Sequence, residues 1–164
     1  MIRLFLDANV LFTAAHNPSG KAAFVIDLGS QGYWEVMSCS YAMEEAHRNL
    51  SIKFPDYLER FELLMADVIK VPSRSGRMCP VLLSEKDRPI LETAIRCKAT
   101  HLLTGDVKDF GPFMNNPSIT SGVTIQTVSQ FLTDLMRAKP KKPPVRKNNP
   151  KAMQPSKSSK AKRG

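Results

Sequence analysis

The sequence is poor in the residues that build covalent or soft-metal frameworks. It has 164 residues, with three cysteines and three histidines. Cys39, Cys79 and Cys97 are odd in number and far apart, which excludes a disulfide framework and a Cys-x-x-Cys zinc site and fits a reducing cytoplasm. His16, His47 and His101 make no HxxxH or HxxE pattern, so surface or packing roles are expected of them. No apolar run approaches the length of a membrane span, and Asp7 interrupts the N-terminal stretch MIRLFLDANVLFTAA where a signal peptide would need an unbroken apolar segment. A soluble cytoplasmic protein is expected, with no membrane partner.

Acid is also missing, but only from one end. From Arg137 to the C-terminus there are 11 Lys or Arg and no Asp or Glu, which leaves 13 basic against 15 acidic residues in positions 1–136. The overall charge of +9 therefore belongs to a tail on a slightly acidic body. Residues 137–164 are rich in Pro, Lys and Ser and hold few large apolar groups, so they lack the surface to offset their ordering entropy and are expected to be disordered. Such a segment attracts nucleic acid through phosphate neutralisation, without reading sequence, or simply solubilises. Residues 1–136 are expected to form one domain, since 42% hydrophobic content is enough for a single core.

Short apolar runs alternate with helix-period stretches. IRLFLD (2–7), YWEVMS (33–38), DVIKV (67–71), THLLT (100–104) and GVTIQ (122–126) read as strands. Between the first two, the helical pattern breaks at Asn17-Pro18-Ser19-Gly20, giving two helices. Helices are also expected over 39–54, over 55–66 with Pro55 at the start, over 84–99 and over 127–138. This order predicts an α/β fold, with a parallel sheet covered on both faces and a ligand crevice at the carboxyl ends of its strands. Asp7 and Asp106 both fall at such ends.

Each candidate acid has an ordinary structural role to set against a functional one. Asp7 precedes a helix and suits an N-cap. Asp106, after Gly105, suits an Asx turn, and Asp109 suits a cap three residues on. Ser84-Glu85-Lys86-Asp87 reads as a capping box, which alone would explain Asp87. Glu44 and Glu45 are separated by helical geometry. At ~100° per residue, the stripe Ala42, Ala46, Leu50, Phe54 turns Glu44 outward towards Arg48, whereas Glu45 borders the stripe. If one of the two enters a site, it is Glu45.

Together, DANVL (7–11), YAMEEAHRNL (41–50), KDRPILETAI (86–95) and LLTGDVKDF (102–110) resemble the PIN-domain ribonucleases, the toxin-like single-domain members included, in residue type, order and approximate spacing. The resemblance spans positions 1–136. It implies a PIN-like three-layer fold with a central parallel sheet flanked by helices, and an acidic pocket holding Mg²⁺ or Mn²⁺. Carried onto this chain, the family's catalytic acids are Asp7, Glu45, Asp87 and Asp106. Asp7, Asp87, Asp106 and the additional Asp109 are the metal ligands implied, with Asn9 and Thr104 in supporting positions. Gathered carboxylates repel one another until a hard cation joins them, and oxygen-only ligands suit Mg²⁺ or Mn²⁺. RNA is the implied substrate, cut to leave a 3′-hydroxyl and a 5′-phosphate. A cognate antitoxin protein and a homodimer stay open as partners. For substrate phosphates the candidates are Arg88 and Lys108, with Arg3 and Lys86 also near the motifs; for each, a solvated surface role competes.

Other phosphate enzymes fail on specific residues. A haloacid-dehalogenase-like phosphatase needs Asp two positions after Asp7, where Asn9 stands. A P-loop needs Gly five positions before Gly20 of Gly20-Lys21, and Ala15 stands there. The remaining rival is a PIN fold that binds RNA or protein without cutting, against which the presence of all four acids argues.

Overall fold

The computed structural model describes residues 1–73, 76 and 79–138. Five strands form one sheet: β1 (Arg3–Leu6), β2 (Glu35–Cys39), β3 (Ile69–Val71), β4 (His101–Leu103) and β5 (Thr124–Gln126). All pair in parallel, in the order β3-β2-β1-β4-β5. Phe5 lies opposite Met37 on one side and Leu102 on the other, and Leu102 lies opposite Ile125. The centre of the sheet is buried on both faces, as a parallel sheet requires: Leu4, Phe5, Leu6, Leu102 and Leu103 are wholly inaccessible. That explains why these strands are continuous apolar runs without alternation.

Among the described residues, seven α-helices flank the sheet: α1 (Ala8–His16), α2 (Lys21–Ser30), α3 (Ser40–Lys53), α4 (Leu58–Met65), α5 (Arg88–Arg96), α6 (Val107–Phe110) and α7 (Val128–Arg137). Helix α1 packs against α2, α3 and α4, while α5 packs on β2 and β4. The expected break between α1 and α2 is present, with Asn17 as the C-cap of the first and Gly20 as the N-cap of the second. The fold is the expected three-layer α/β architecture.

Four local expectations change. Pro55 opens a 3₁₀ turn, Pro55–Tyr57, and α4 begins only after it. Phe54, assigned by its spacing to the buried stripe of α3, is the C-cap of that helix and is partly exposed, stacked on His16 instead. The fifth helix begins at Arg88 and not at Ser84, because residues 85–87 form a turn before it. And α6, only four residues long, was not anticipated, since so short a helix carries no periodic signal. The basic tail lies outside the described residues from position 139 onward.

The chain steps outward from β1 to β2 and β3, then returns to place β4 on the other side of β1. Strand order therefore reverses between β1 and β4, and in open α/β sheets a crevice forms there beyond the strand carboxyl ends. Asp7 directly follows β1, and Thr104 to Asp106 directly follow β4. The backbone N–H of Asp7 donates to the Leu103 carbonyl at 3.0 Å, so the two strand ends are tied where they deliver these residues.

Candidate functional site

Asp7 forms the floor of the crevice. It is the N-cap of α1, with Oδ1 accepting from the Ala8 N–H at 2.8 Å. Its Oδ2 accepts from the Thr104 hydroxyl at 2.7 Å and from Asn9 Nδ2 at 3.2 Å. The expected ordinary role and the candidate functional one thus coincide, because a carboxylate has about four acceptor positions and these bonds use three. Burial pushes the Asp7 carboxyl up to about 6; the hydrogen bonds from Thr104 and Ala8 oppose the rise, and the charges of Asp87 and Glu45 add to it.

Thr104 and Asn9 wire that floor to the loop after β4. Buried Thr104 donates to Asp7 and accepts from the Asp106 N–H at 3.0 Å. Asn9 Oδ1 accepts from the Gly105 N–H at 2.6 Å. A Cβ at Gly105 would stand 3.2 Å from that same oxygen, so glycine is favoured here by the close approach of Asn9.

Asp87, Asp106 and Asp109 form the rim. Each offers a carboxylate oxygen within 4.8 Å of the others, an arrangement that can hold a metal ion. Asp106 caps α6 through Oδ1, which accepts from the Asp109 N–H at 2.9 Å. Asp87 Oδ2 accepts from the Ser84 hydroxyl at 2.9 Å, and Ser84 Oγ accepts from the Asp87 N–H at 3.3 Å; the two side chains pair within the turn before α5, and the capping box expected of them does not form, because Asp87 itself is the N-cap. Burial raises the Asp87 carboxyl above the usual carboxylate range; Ser84 opposes this, and Asp106 and Asp109 add to it by charge and, for Asp109, by a hydrogen bond that only a protonated carboxyl can make.

The sequence-predicted acids therefore fall into two groups. Asp109 joins the tightest cluster, whereas Asp7 stands outside it and touches it through its field and through Thr104. Glu45 is half-buried and lines an 820 Å³ cleft together with Asn9, Thr104 and Asp106. Glu44 is exposed and does not line it.

The residue types suit a hard divalent cation. Every candidate donor is an oxygen, the two buried acids are held above their ordinary range, and neither ion pair among the described residues involves any of these acids. The three histidines take packing or surface roles: His16 stacks on Phe54, His47 is exposed beside Phe61, and His101 packs edge-on against Phe131.

The cationic candidates separate as well. Arg3 stands at the amino end of β1, away from the crevice, ion-paired with Glu35 and donating to the Cys97 carbonyl at 2.8 Å. Arg88 and Lys108 are exposed but do not line the cleft, whereas Lys86 does. Lys21 lines it too, a position that the motifs did not single out.

A parallel sheet of this order, with acids gathered at its switch point just after β1, just after β4 and just before α5, defines an α/β domain with an acidic crevice at its strand carboxyl ends. The sequence pattern of the PIN domain matches residues 3–108, and the chain belongs to that family, whose domains are generally nucleases. Among solved structures, VapBC2 from Rickettsia felis, bound to a DNA fragment from its promoter, has a TM-score of 0.57 at 12% identity, over 77% of this chain and 98% of that one. VapBC-1 from nontypeable Haemophilus influenzae has a TM-score of 0.50 at 14% identity, over 78% and 99%. No curated protein matches. At these identities the solved structures speak for the fold alone. No helix among the described residues is long and apolar enough to cross a membrane.

Proposed function

We propose that this protein is a Mg²⁺- or Mn²⁺-dependent endoribonuclease that hydrolyses RNA phosphodiester bonds in the crevice between β1 and β4. The observation that carries the reading is the convergence of Asp87, Asp106 and Asp109 above the buried Asp7. A bound divalent ion would supply an acidified water and offset charge on the phosphate. The rim carboxylates would hold the ion. Asp7 fixes the floor and, through Thr104, the backbone that carries Asp106. Glu45, which lines the cleft, is the acceptor for the proton of the attacking water as the P–O3′ bond breaks, and the leaving 3′-oxygen takes its proton from solvent. The products carry 3′-hydroxyl and 5′-phosphate ends.

The test is cleavage of a panel of single-stranded and structured RNAs by the purified chain with Mg²⁺, Mn²⁺ or EDTA, beside Asp106→Asn prepared identically. Cutting that needs the metal and vanishes in the variant supports the reading. Metal binding without cutting of any RNA would favour a PIN fold that only binds.

A second reading concerns biology. The solved neighbours are VapBC complexes, which favours a role as the toxin of a toxin-antitoxin pair, acting in the cytoplasm on RNA and held inactive by a small partner protein. A short reading frame beside this one whose product co-purifies with the chain and suppresses cleavage is the expected finding.

A further inference from the structure

Of the candidate acids, Glu45 and Asp106 line the cleft, and Asp7, Asp87 and Asp109 do not. From Asp106 and Glu45 it continues past the β4 loop to the break between α1 and α2, where Lys21 lines it, and to the start of α7. Its volume of 820 Å³ lies towards the upper end of the usual size of a ligand site, ~300–1,000 Å³. Along one wall, Asn9 and Thr13 of α1 and its C-cap Asn17, spaced four residues apart, all line it. At 1.5 Å per residue that wall is about 12 Å long, more than one nucleotide of extended strand. The other face of the helix, Leu11, Ala14 and Ala15, is buried in the core.

The charges along the cleft are unevenly spread. Two carboxylates, Glu45 and Asp106, line it, and its cations are Lys86, in the chain next to Asp87, and Lys21. Lys21 is exposed and reaches across to α7, its Nζ donating to Ser129 Oγ at 3.3 Å. That partner is a neutral hydroxyl and not a carboxylate. Among the described residues no aromatic side chain lines the cleft, so they offer no stacking platform for bases, and their donors suit the sugar-phosphate chain. The Gly20-Lys21 pair, which fails as a P-loop, is thus part of the same cleft as the acids.

We infer that Lys21 is a positioning residue that holds a substrate phosphate beyond the scissile one, so that the cleft from Asp106 to position 21 forms one track for the substrate's backbone. The inference rests on the nuclease reading and adds to it a contact outside the acidic cluster, made to the backbone and so with little sequence preference. Lys21 does not touch the reacting phosphate, so it acts on binding and on substrate length.

The experiment measures binding and cleavage of fluorescein-labelled single-stranded RNAs of increasing length around one scissile step. The full chain is compared with Lys21→Ala, Lys21→Arg and the surface control Lys70→Ala. Binding is read by anisotropy in EDTA over a salt series, and cleavage as kcat and KM in Mn²⁺. The expected result is that Lys21→Ala weakens binding and raises KM about three- to tenfold, leaves kcat unchanged, and lowers the slope of log affinity against log salt by roughly 0.7, one phosphate contact on a single strand. Lys21→Arg restores these values, Lys70→Ala does not alter them, and the effect of Lys21→Ala disappears for RNAs too short to reach position 21. If the wild-type chain cuts RNA while Lys21→Ala matches it in KM and salt slope at every length, the track is overturned and the nuclease reading stands. If the wild-type chain neither binds nor cuts any RNA, both are overturned.

Discussion

The floor and the rim of the crevice are both acidic, but they are built in opposite ways. On the floor, Asp7 is buried, caps a helix, and is bonded to Thr104 and Asn9, which hold the backbone of Gly105 and Asp106 in turn. On the rim, Asp87, Asp106 and Asp109 crowd within 4.8 Å, and among the described residues their oxygens are met by the Ser84 hydroxyl, by the Asp109 N–H and, between Asp87 and Asp109, by each other. The floor is complete as folded. The rim is a set of like charges whose mutual repulsion a cation would relieve. The comparison teaches that charge is disfavoured on the floor by burial and on the rim by burial and crowding, and that on the rim a bound cation or a proton would offset the crowding.

The sharpest break in this comparison is Asp106→Asn. Asparagine keeps the cap on α6, since its carbonyl accepts from the Asp109 N–H as Asp106 Oδ1 does. Cleavage is expected to fall by roughly a thousandfold, the scale of several kcal/mol that a divalent ion contributes, with the thermal midpoint nearly unchanged. Thr104→Val tests the floor. It removes the donor to Asp7 and the acceptor for the Asp106 N–H from a buried position, so it should cost about 1–3 kcal/mol of stability and lower activity as well. Rim variants should therefore separate activity from stability, and floor variants should not.

The pH dependence sharpens the same contrast. Burial disfavours the charge of the Asp7 carboxyl and pushes it up to about 6 in the folded protein, from the 3.8 of an ordinary aspartate. The folded state then binds this proton more tightly than the unfolded state. Its contribution to stability is fully present below pH ~3.8 and is lost as pH rises through about 6, amounting to about 3 kcal/mol. In EDTA, the fall in thermal midpoint between pH 4 and 7 should be shallower for Asp7→Asn than for wild type. The Asp87 carboxyl, also raised, acts in the same direction, and added Mn²⁺ should stabilise the wild type more at pH 7 than at pH 5. The smallest effects belong to α3: Glu45→Gln lowers cleavage, and Glu44→Gln leaves it unaltered. Equal losses from the two would remove Glu45 from the cleft chemistry.

The sequence made the sheet legible because its strands are buried on both faces, and unbroken runs such as Leu4-Phe5-Leu6 have few other interpretations. Helical phase was enough to separate Glu44 from Glu45, since α3 is long enough to fix it. What was hidden depends on contacts between distant segments. The Asn9 side chain meeting the Gly105 N–H spans 96 positions, and neither residue announces the other. The membership of the tight rim cluster was hidden for a related reason: α6 has four residues and no periodicity, so nothing local shows that it turns Asp109 towards Asp87. Lys21 was read only against a phosphate motif that it fails, and its place beside the acids follows from packing alone. The same geometry removes Arg3, which adjoins a motif in sequence but stands at the wrong end of its strand.

The most direct measurement is Mn²⁺ binding followed by electron paramagnetic resonance, with wild type and Asp106→Asn titrated side by side at pH 7 and their circular dichroism compared. Loss of the free-ion signal on adding wild type, and its persistence with an equally folded Asp106→Asn, is the result predicted by a rim built to hold a divalent cation. Equal binding by the two proteins, or none by either, would contradict it.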